Sequence, residues 1–219
     1  MRARQEIPIY NFQQRTVHWI HTVAFILLLA TGLLVFVPSL SFLMGGSAIS
    51  RYIHRIFAVV YMIVPFLFLF TDSEGVRSSL RTIFTWSGDD WQWLKAMPSF
   101  YFLGRGEEKM PPQEKFNTGQ KAWYLLVFLA SFLIIVSGLV MWIGRELVGV
   151  GVYQTMLTIH DLSMIPLVIM FFVHVYVGVF HPVMASGTLF RNPMISGMTD
   201  AEYARKHHTK WYQRVTKEK

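Results

Sequence analysis

The 219-residue chain has no cysteine. That excludes disulfides, cysteine-held iron–sulfur clusters, thiolate-ligated haem and covalent attachment of a c-type haem. Charge is sparse as well: Asp, Glu, Lys and Arg make up 15% of the residues, against 53% hydrophobic and 16% aromatic. So little charge excludes an ordinary soluble domain and assigns the chain to the integral membrane proteins. Carboxylates are almost missing from the long apolar runs, where only Asp161 intrudes, near one edge. A transporter built on intramembrane carboxylates and broken helices is disfavoured on that ground. No internal repeat, low-complexity segment or cleavable signal peptide is evident. The first fifteen residues are polar, and the apolar run after them is too long for a leader and lacks a small-residue cleavage site. The net charge of +7 would suit nucleic acid, but most Lys and Arg lie between apolar runs, so no nucleic-acid partner is expected.

What the sequence does have is four runs long enough to cross a bilayer, at about 16–37, 52–71, 121–143 and 153–181. The expected fold is an all-α integral membrane protein, a bundle of four transmembrane helices forming one domain over 1–219. The connection 72–120 is too long and polar for a hairpin loop, and its Trp-, Phe- and Lys-containing part suits an amphipathic helix at the membrane surface. The third run has no histidine, and its Ser131, Ser137 and Gly138 suit close helix packing. Lys and Arg crowd into the N-terminal segment, the long connection and the tail 182–219, leaving only Arg51, Arg55 and Arg145 on the other side. That bias puts both termini and the long connection in the cytoplasm. The protein is therefore expected to be a multi-pass protein of the bacterial cytoplasmic (inner) membrane, with lipid as its surroundings.

The fourth run carries His160 and His174, 14 positions apart. They are roughly 21 Å apart along a helix axis and about 40° apart in phase, so they share one face. Pro166 lies between them and makes the phase approximate. Ligating residues at membrane depth are rare and usually functional. The first run has His18 and His21 at its start, and the second has His54. Given the orientation, His18 and His174 lie near the cytoplasmic face, and His54 and His160 near the outer face. Matching depths gives two pairs, His54 with His160 and His18 with His174. Two imidazoles facing each other from separate helices are the axial ligands of a b-type haem, and two pairs make an electron wire. Phase alone does not separate His18 from His21. His181 rivals His174 but falls at the hydrocarbon edge. Arg15, Arg51 and Arg55 flank these histidines, where haem propionates would meet them and where snorkelling to headgroups would equally put them. Gly32 and Gly178 are candidates to make room for the macrocycle. His207 and His208, in the charged tail, are expected in solvent or docked on a partner protein.

The sequence resembles the gamma subunit, a cytochrome b, of membrane-bound respiratory formate dehydrogenases. The stretches that carry the resemblance are RTVHW, SRYIHRIF, KFNTGQK, LTIH, FFVHVYVG and the tail RKHHTKWY. They cover nearly the whole chain, and KFNTGQK and RKHHTKWY are the most specific. The resemblance implies two b haems held by the same histidine pairs and favours His18 over His21. It implies a menaquinone site beside the cytoplasmic haem, near Asn117, Gly119 and Gln120. Amides of Asn and Gln can hydrogen-bond quinone oxygens, and the alternative role of NTGQK is a helix cap and turn. It also implies partners outside the cytoplasm: an iron–sulfur subunit and a catalytic subunit containing molybdenum or tungsten. Electrons would enter at the outer haem and reach quinone near the inner one; this chain would not itself oxidise formate. Two alternatives remain at this stage. One keeps the wire and changes the donor to a nickel–iron hydrogenase or a sulfur-compound or molybdenum reductase. The other, of a different class, is a histidine-based membrane metal-binding or transport protein.

Overall fold

The computed structural model describes residues 5–180 and 192–217. In chain order the elements are β1 (Glu6–Pro8), α1 (Phe12–Phe36), a 3-10 turn (Pro38–Met44), α2 (Ser47–Thr71), α3 (Ser73–Phe84), α4 (Gly88–Leu103), α5 (Thr118–Trp142) and α6 (Val150–Val175), followed by a π-helical turn (Tyr176–Phe180). The tail then forms α7 (Pro193–Ser196), β2 (Met198–Asp200), α8 (Ala201–His207) and α9 (Thr209–Lys217). Among the described residues four helices are long and apolar enough to cross a membrane: α1, α2, α5, and α6 with its π-helical turn. The chain divides into two compact units, Tyr10–Val76 and Met1–Ile9 with Arg77–Lys219.

The first unit is the hairpin α1/α2. Helix α1 starts at Phe12, inside the polar segment that precedes the charge-free run, because Asn11 and Gln14 form a reciprocal capping box. The Asn11 side chain accepts from the Gln14 N–H at 2.8 Å, so a polar first turn is stabilised before the apolar stretch begins. Both amides also donate to Asp72 Oδ2, at 2.9 Å from Asn11 and 3.1 Å from Gln14, which ties the start of α1 to the end of α2. Most of the residues buried in these two helices are small: Ala24, Thr31 and Ser50. Large apolar side chains such as Phe36, Phe66 and Phe70 point outward. In water that pattern would be unstable, but in lipid the outward face needs no cover and small residues let the helices approach.

The second unit pairs α5 with α6 in the same manner, burying Ala130, Ser137 and Ser163 and exposing Leu129, Phe132 and Phe172. Asn117 and Gln120 form a second capping box, so α5 begins at Thr118, also ahead of its charge-free run. Next to that cap lies a buried ion pair. Lys121 Nζ and Asp90 Oδ1 are 2.8 Å apart, with side chains 5% and 3% exposed. Thr118 donates to the same carboxylate oxygen at 2.8 Å, Lys121 also donates to the Thr85 carbonyl, and the Ser87 N–H holds Asp90 Oδ2. Burial alone would raise the Asp90 pKa, but the hydrogen bonds from Lys121, Ser87 and Thr118 and the Lys121 charge outweigh it and hold the carboxyl below its ordinary range.

The tail folds back on its own unit. β2 pairs antiparallel with β1, Glu6 opposite Asp200 and Pro8 opposite Met198. Ile7, Ala201, Ala204 and Trp211 make a small core beneath this ribbon. His208 is buried, not in solvent or on a partner as expected: its Nδ1–H donates to the Glu114 carbonyl at 2.9 Å. The Lys210 N–H donates to the Gln113 carbonyl, and Arg214 pairs with Glu114. The tail is thus fastened to Gln113 and Glu114, immediately before the KFNTGQK stretch.

Two outcomes are expected. Burial pushes the His208 pKa down to about 4, from an ordinary value of 6.5. The unfolded tail therefore binds the extra proton first, and docking loses stability as pH falls from about 6.5 towards about 4. Amide hydrogen exchange across 201–217 is expected to speed up over that window, and His208→Gln to flatten the dependence. Replacing Asp90 by Ala strands a buried ammonium, a loss of about 3–5 kcal/mol. The thermal midpoint of the full chain in detergent is expected to fall accordingly.

Candidate functional site

In the α1/α2 hairpin, His54 Nδ1 lies 2.9 Å from Thr31 Oγ1. The same hydroxyl is 2.7 Å from the Leu27 carbonyl, one turn back on its own helix. A hydroxyl has one proton to give, and a carbonyl can only accept. Thr31 therefore donates to Leu27 and accepts from His54 Nδ1–H, which makes Nε2 the lone-pair nitrogen of that imidazole. Thr31 is completely buried. Its neighbour Gly32 is where the ring edge comes closest: a Cβ there would lie 3.3 Å from His54 Cε1.

The α5/α6 hairpin repeats this arrangement. His160 Nδ1 is 3.1 Å from Ser137 Oγ and 3.1 Å from the Ile134 carbonyl, and Ser137 Oγ is 2.6 Å from the Leu133 carbonyl. Ser137 is completely buried, and a Cβ on Gly138 would lie 3.2 Å from His160 Cε1. In both hairpins the histidine follows the hydroxyl by 23 positions. The two capping asparagines (11 and 117), the two hydroxyls (31 and 137) and the two histidines (54 and 160) are each 106 positions apart. An internal repeat, not evident along the sequence, thus exists at the level of the hairpin. It is hidden because most other positions exchange one apolar residue for another.

Helix α6 continues through Pro166, so His160 and His174 keep a common face, the one turned to α5. Trp123 of α5 stacks on His174 with ring centroids 4.9 Å apart, and its indole N–H donates to the Met170 carbonyl at 3.3 Å. His174 is otherwise exposed on the hairpin surface. On α1, His18 is half-buried and meets Trp19 edge-on. His21 stacks on Tyr61 at 4.0 Å, and its Nε2 is buried with no hydrogen-bond partner among the described residues. Arg15 is half-buried one turn before His18, and Arg51 and Arg55 are exposed on α2 around His54. Beside these residues an apolar groove is lined by Trp19, Ile20, Val23, Ala24, Phe57 and Val60. His181 lies outside the described residues. A Cβ on Gly178 would meet nothing, so the glycines against imidazoles are Gly32 and Gly138.

Asn117 and Gln120 use their side-chain oxygens in the α5 capping box, Asn117 toward the Gln120 N–H and Gln120 toward the Asn117 N–H, both at 2.9 Å. Their NH2 groups are the donors each can offer elsewhere. At Gly119 the close approach is by the Trp93 indole, whose Cη2 would lie 2.8 Å from a Cβ.

The donor set fits a haem iron. Two imidazoles have their Nδ1–H tied to the protein, the condition under which Nε2 serves as a metal ligand. A glycine stands against the edge of each ring. No three His, Cys, Asp or Glu side chains gather to hold a metal ion among the described residues. A membrane cytochrome of b type is the class these features define, and comparison with known proteins agrees. The chain belongs to the prokaryotic cytochrome b561 family, whose model matches residues 9–197. It is 28% identical to the cytochrome b556(fdo) subunit of formate dehydrogenase from Escherichia coli (strain K12), over 99% of this chain and 97% of that protein. The cytochrome b556(Fdn) subunit of the nitrate-inducible formate dehydrogenase of the same strain is 24% identical over 94% of this chain and 90% of its own length. A probable Ni/Fe-hydrogenase B-type cytochrome subunit of Rhizobium leguminosarum bv. viciae is 26% identical, covering 89% of each chain.

Substituting Gly119 by Ala is expected to force the Trp93 indole out of its seat and cost about 1–3 kcal/mol. Tryptophan fluorescence during thermal unfolding of the full chain reads that loss directly.

Proposed function

We propose that this chain is the haem-carrying membrane subunit of a respiratory formate dehydrogenase, passing electrons across the membrane to quinone. The observation that carries the reading is the pair of equivalent hydroxyl–glycine cradles that leave Nε2 of His54 and of His160 as the nitrogen to ligate iron. Together these two residues hold one b haem near the outer face. His18 and His174 hold a second near the cytoplasmic face, with Trp123 fixing the plane of His174. The pairing follows from depth along the spans, with both termini in the cytoplasm, the orientation that the distribution of Lys and Arg favours. Arg15, Arg51 and Arg55 are near enough in sequence to these histidines to meet propionates or headgroups. When bound, haem supplies one-electron chemistry; the protein's part is to set its position and its surroundings.

In this reading electrons arrive from an iron–sulfur subunit that serves a molybdenum or tungsten catalytic subunit outside the cytoplasm. They pass along the His54/His160 pair, then the His18/His174 pair, and reach menaquinone beside Asn117, Gly119 and Gln120. Because the two amide oxygens are used in the helix cap, the amides would meet quinone oxygens through their NH2 groups. Donors at that point suit a quinone carbonyl, which accepts. Electron arrival outside and proton uptake inside would separate charge across the bilayer. The likeness to a hydrogenase cytochrome supports a second reading, in which hydrogen oxidation supplies the electrons; the soluble subunits that co-purify in mild detergent separate the two.

The test is the haem content of the purified full chain. The reduced-minus-oxidised spectrum is expected to show b-type bands with two haems per chain, and His160→Ala to lose one of them. Two intact haems in that variant would refute the pairing.

A further inference from the structure

Thr31 and Ser137 stand apart from the other hydroxyls of the spans. Both are completely buried, both are back-bonded to a carbonyl of their own helix, and each then meets the Nδ1 of a histidine on the next helix. The two instances arise at equivalent places, 106 positions apart, in stretches that otherwise share few residues. Packing alone does not call for this. Ala24 and Ala130 are buried in the same two helices as small residues without a polar atom.

We infer that Thr31 and Ser137 are positioning residues that set the reduction potential of the haem held by His54 and His160: each hydroxyl accepts the Nδ1–H of its histidine, fixes the tautomer and ring plane, and makes Nε2 a stronger donor to iron. The inference rests on the proposed assignment of those two histidines as ligands. A hydrogen bond accepted from Nδ1–H pushes electron density onto the ring, and an electron-rich ligand favours ferric over ferrous iron. The oxidised form is therefore stabilised and the potential lowered. At His160 the Ile134 carbonyl, 3.1 Å from Nδ1, stands beside the Ser137 hydroxyl.

The experiment is a redox titration of the full chain in membranes, read by optical and electron paramagnetic resonance spectra, for Thr31→Val, Thr31→Ser, Ser137→Ala and the double variant Thr31→Val/Ser137→Ala. Thr31→Val is expected to favour reduction of one haem by roughly tenfold, an upward shift of about 59 mV for one electron. Ser137→Ala is expected to shift the same haem in the same direction, the double variant most, and Thr31→Ser to restore the original value, while the other haem stays unchanged. Unchanged potentials and g values in Thr31→Val with both haems present would overturn the inference. So would loss of the haem in Thr31→Val that Thr31→Ser does not rescue, whereas a rescued loss supports it. Nitrogen-15 NMR of labelled histidine in the haem-free full chain gives a second readout. His54 is expected as the Nδ1–H tautomer in the native sequence and as a mixture in Thr31→Val, and a mixture already in the native sequence would overturn the inference. His54→Ala retaining both haems would instead refute the ligand assignment, a result the tautomer measurement does not depend on.

Discussion

An imidazole inside a hydrocarbon-spanning helix has an N–H that water cannot reach, and leaving it unmet is expensive. The hairpins answer this with the hydroxyl of Thr31 for His54 and of Ser137 for His160. Much of the local structure follows from that bond. The hydroxyl has to be buried and its own proton occupied, which the carbonyl one turn back provides. The helices have to run close, which the small residues allow. The ring edge has to approach the neighbouring backbone closely, which a glycine immediately after the hydroxyl permits. The result is a histidine with one nitrogen held by the protein and the other given its role by that hold.

The polar part of the second unit serves a different end. The buried Lys121–Asp90 pair, with Thr118 and Gln113 around it, anchors the first turn of α5 to α4. His208, Lys210 and Arg214 then fasten the tail over the 113–114 segment. The first turn of α5 carries Asn117, Gly119 and Gln120, so these contacts hold rigid the place where quinone is proposed to bind.

The four spans were legible because long charge-free runs have few other uses, and their starts were misjudged where a capping box extends a helix into polar sequence, at Asn11 and Asn117. The histidines were legible as a set, since imidazoles at membrane depth are conspicuous. Their supports were not. Thr31 gives no signal of its own, and Ser137 and Gly138 suit packing equally well, because a hydroxyl in an apolar helix looks the same whether it bonds only its own backbone or also a neighbour. Trp123 was hidden in the same way, as one aromatic among many. The spacing of 23 from hydroxyl-glycine to histidine, occurring twice, was the available signal. The charged setting of His208 pointed to solvent, and only the folded tail shows that it is buried.

Each hairpin contains every group needed to satisfy its own cradled histidine. Thr31, Gly32 and His54 lie within one pair of consecutive helices, and so do Ser137, Gly138 and His160. A newly made hairpin can therefore leave the translocation machinery for the lipid as soon as its second helix is complete, with the Nδ1–H of its cradled histidine already met. The orientation of both imidazoles is thus set within each hairpin and does not wait for the rest of the chain.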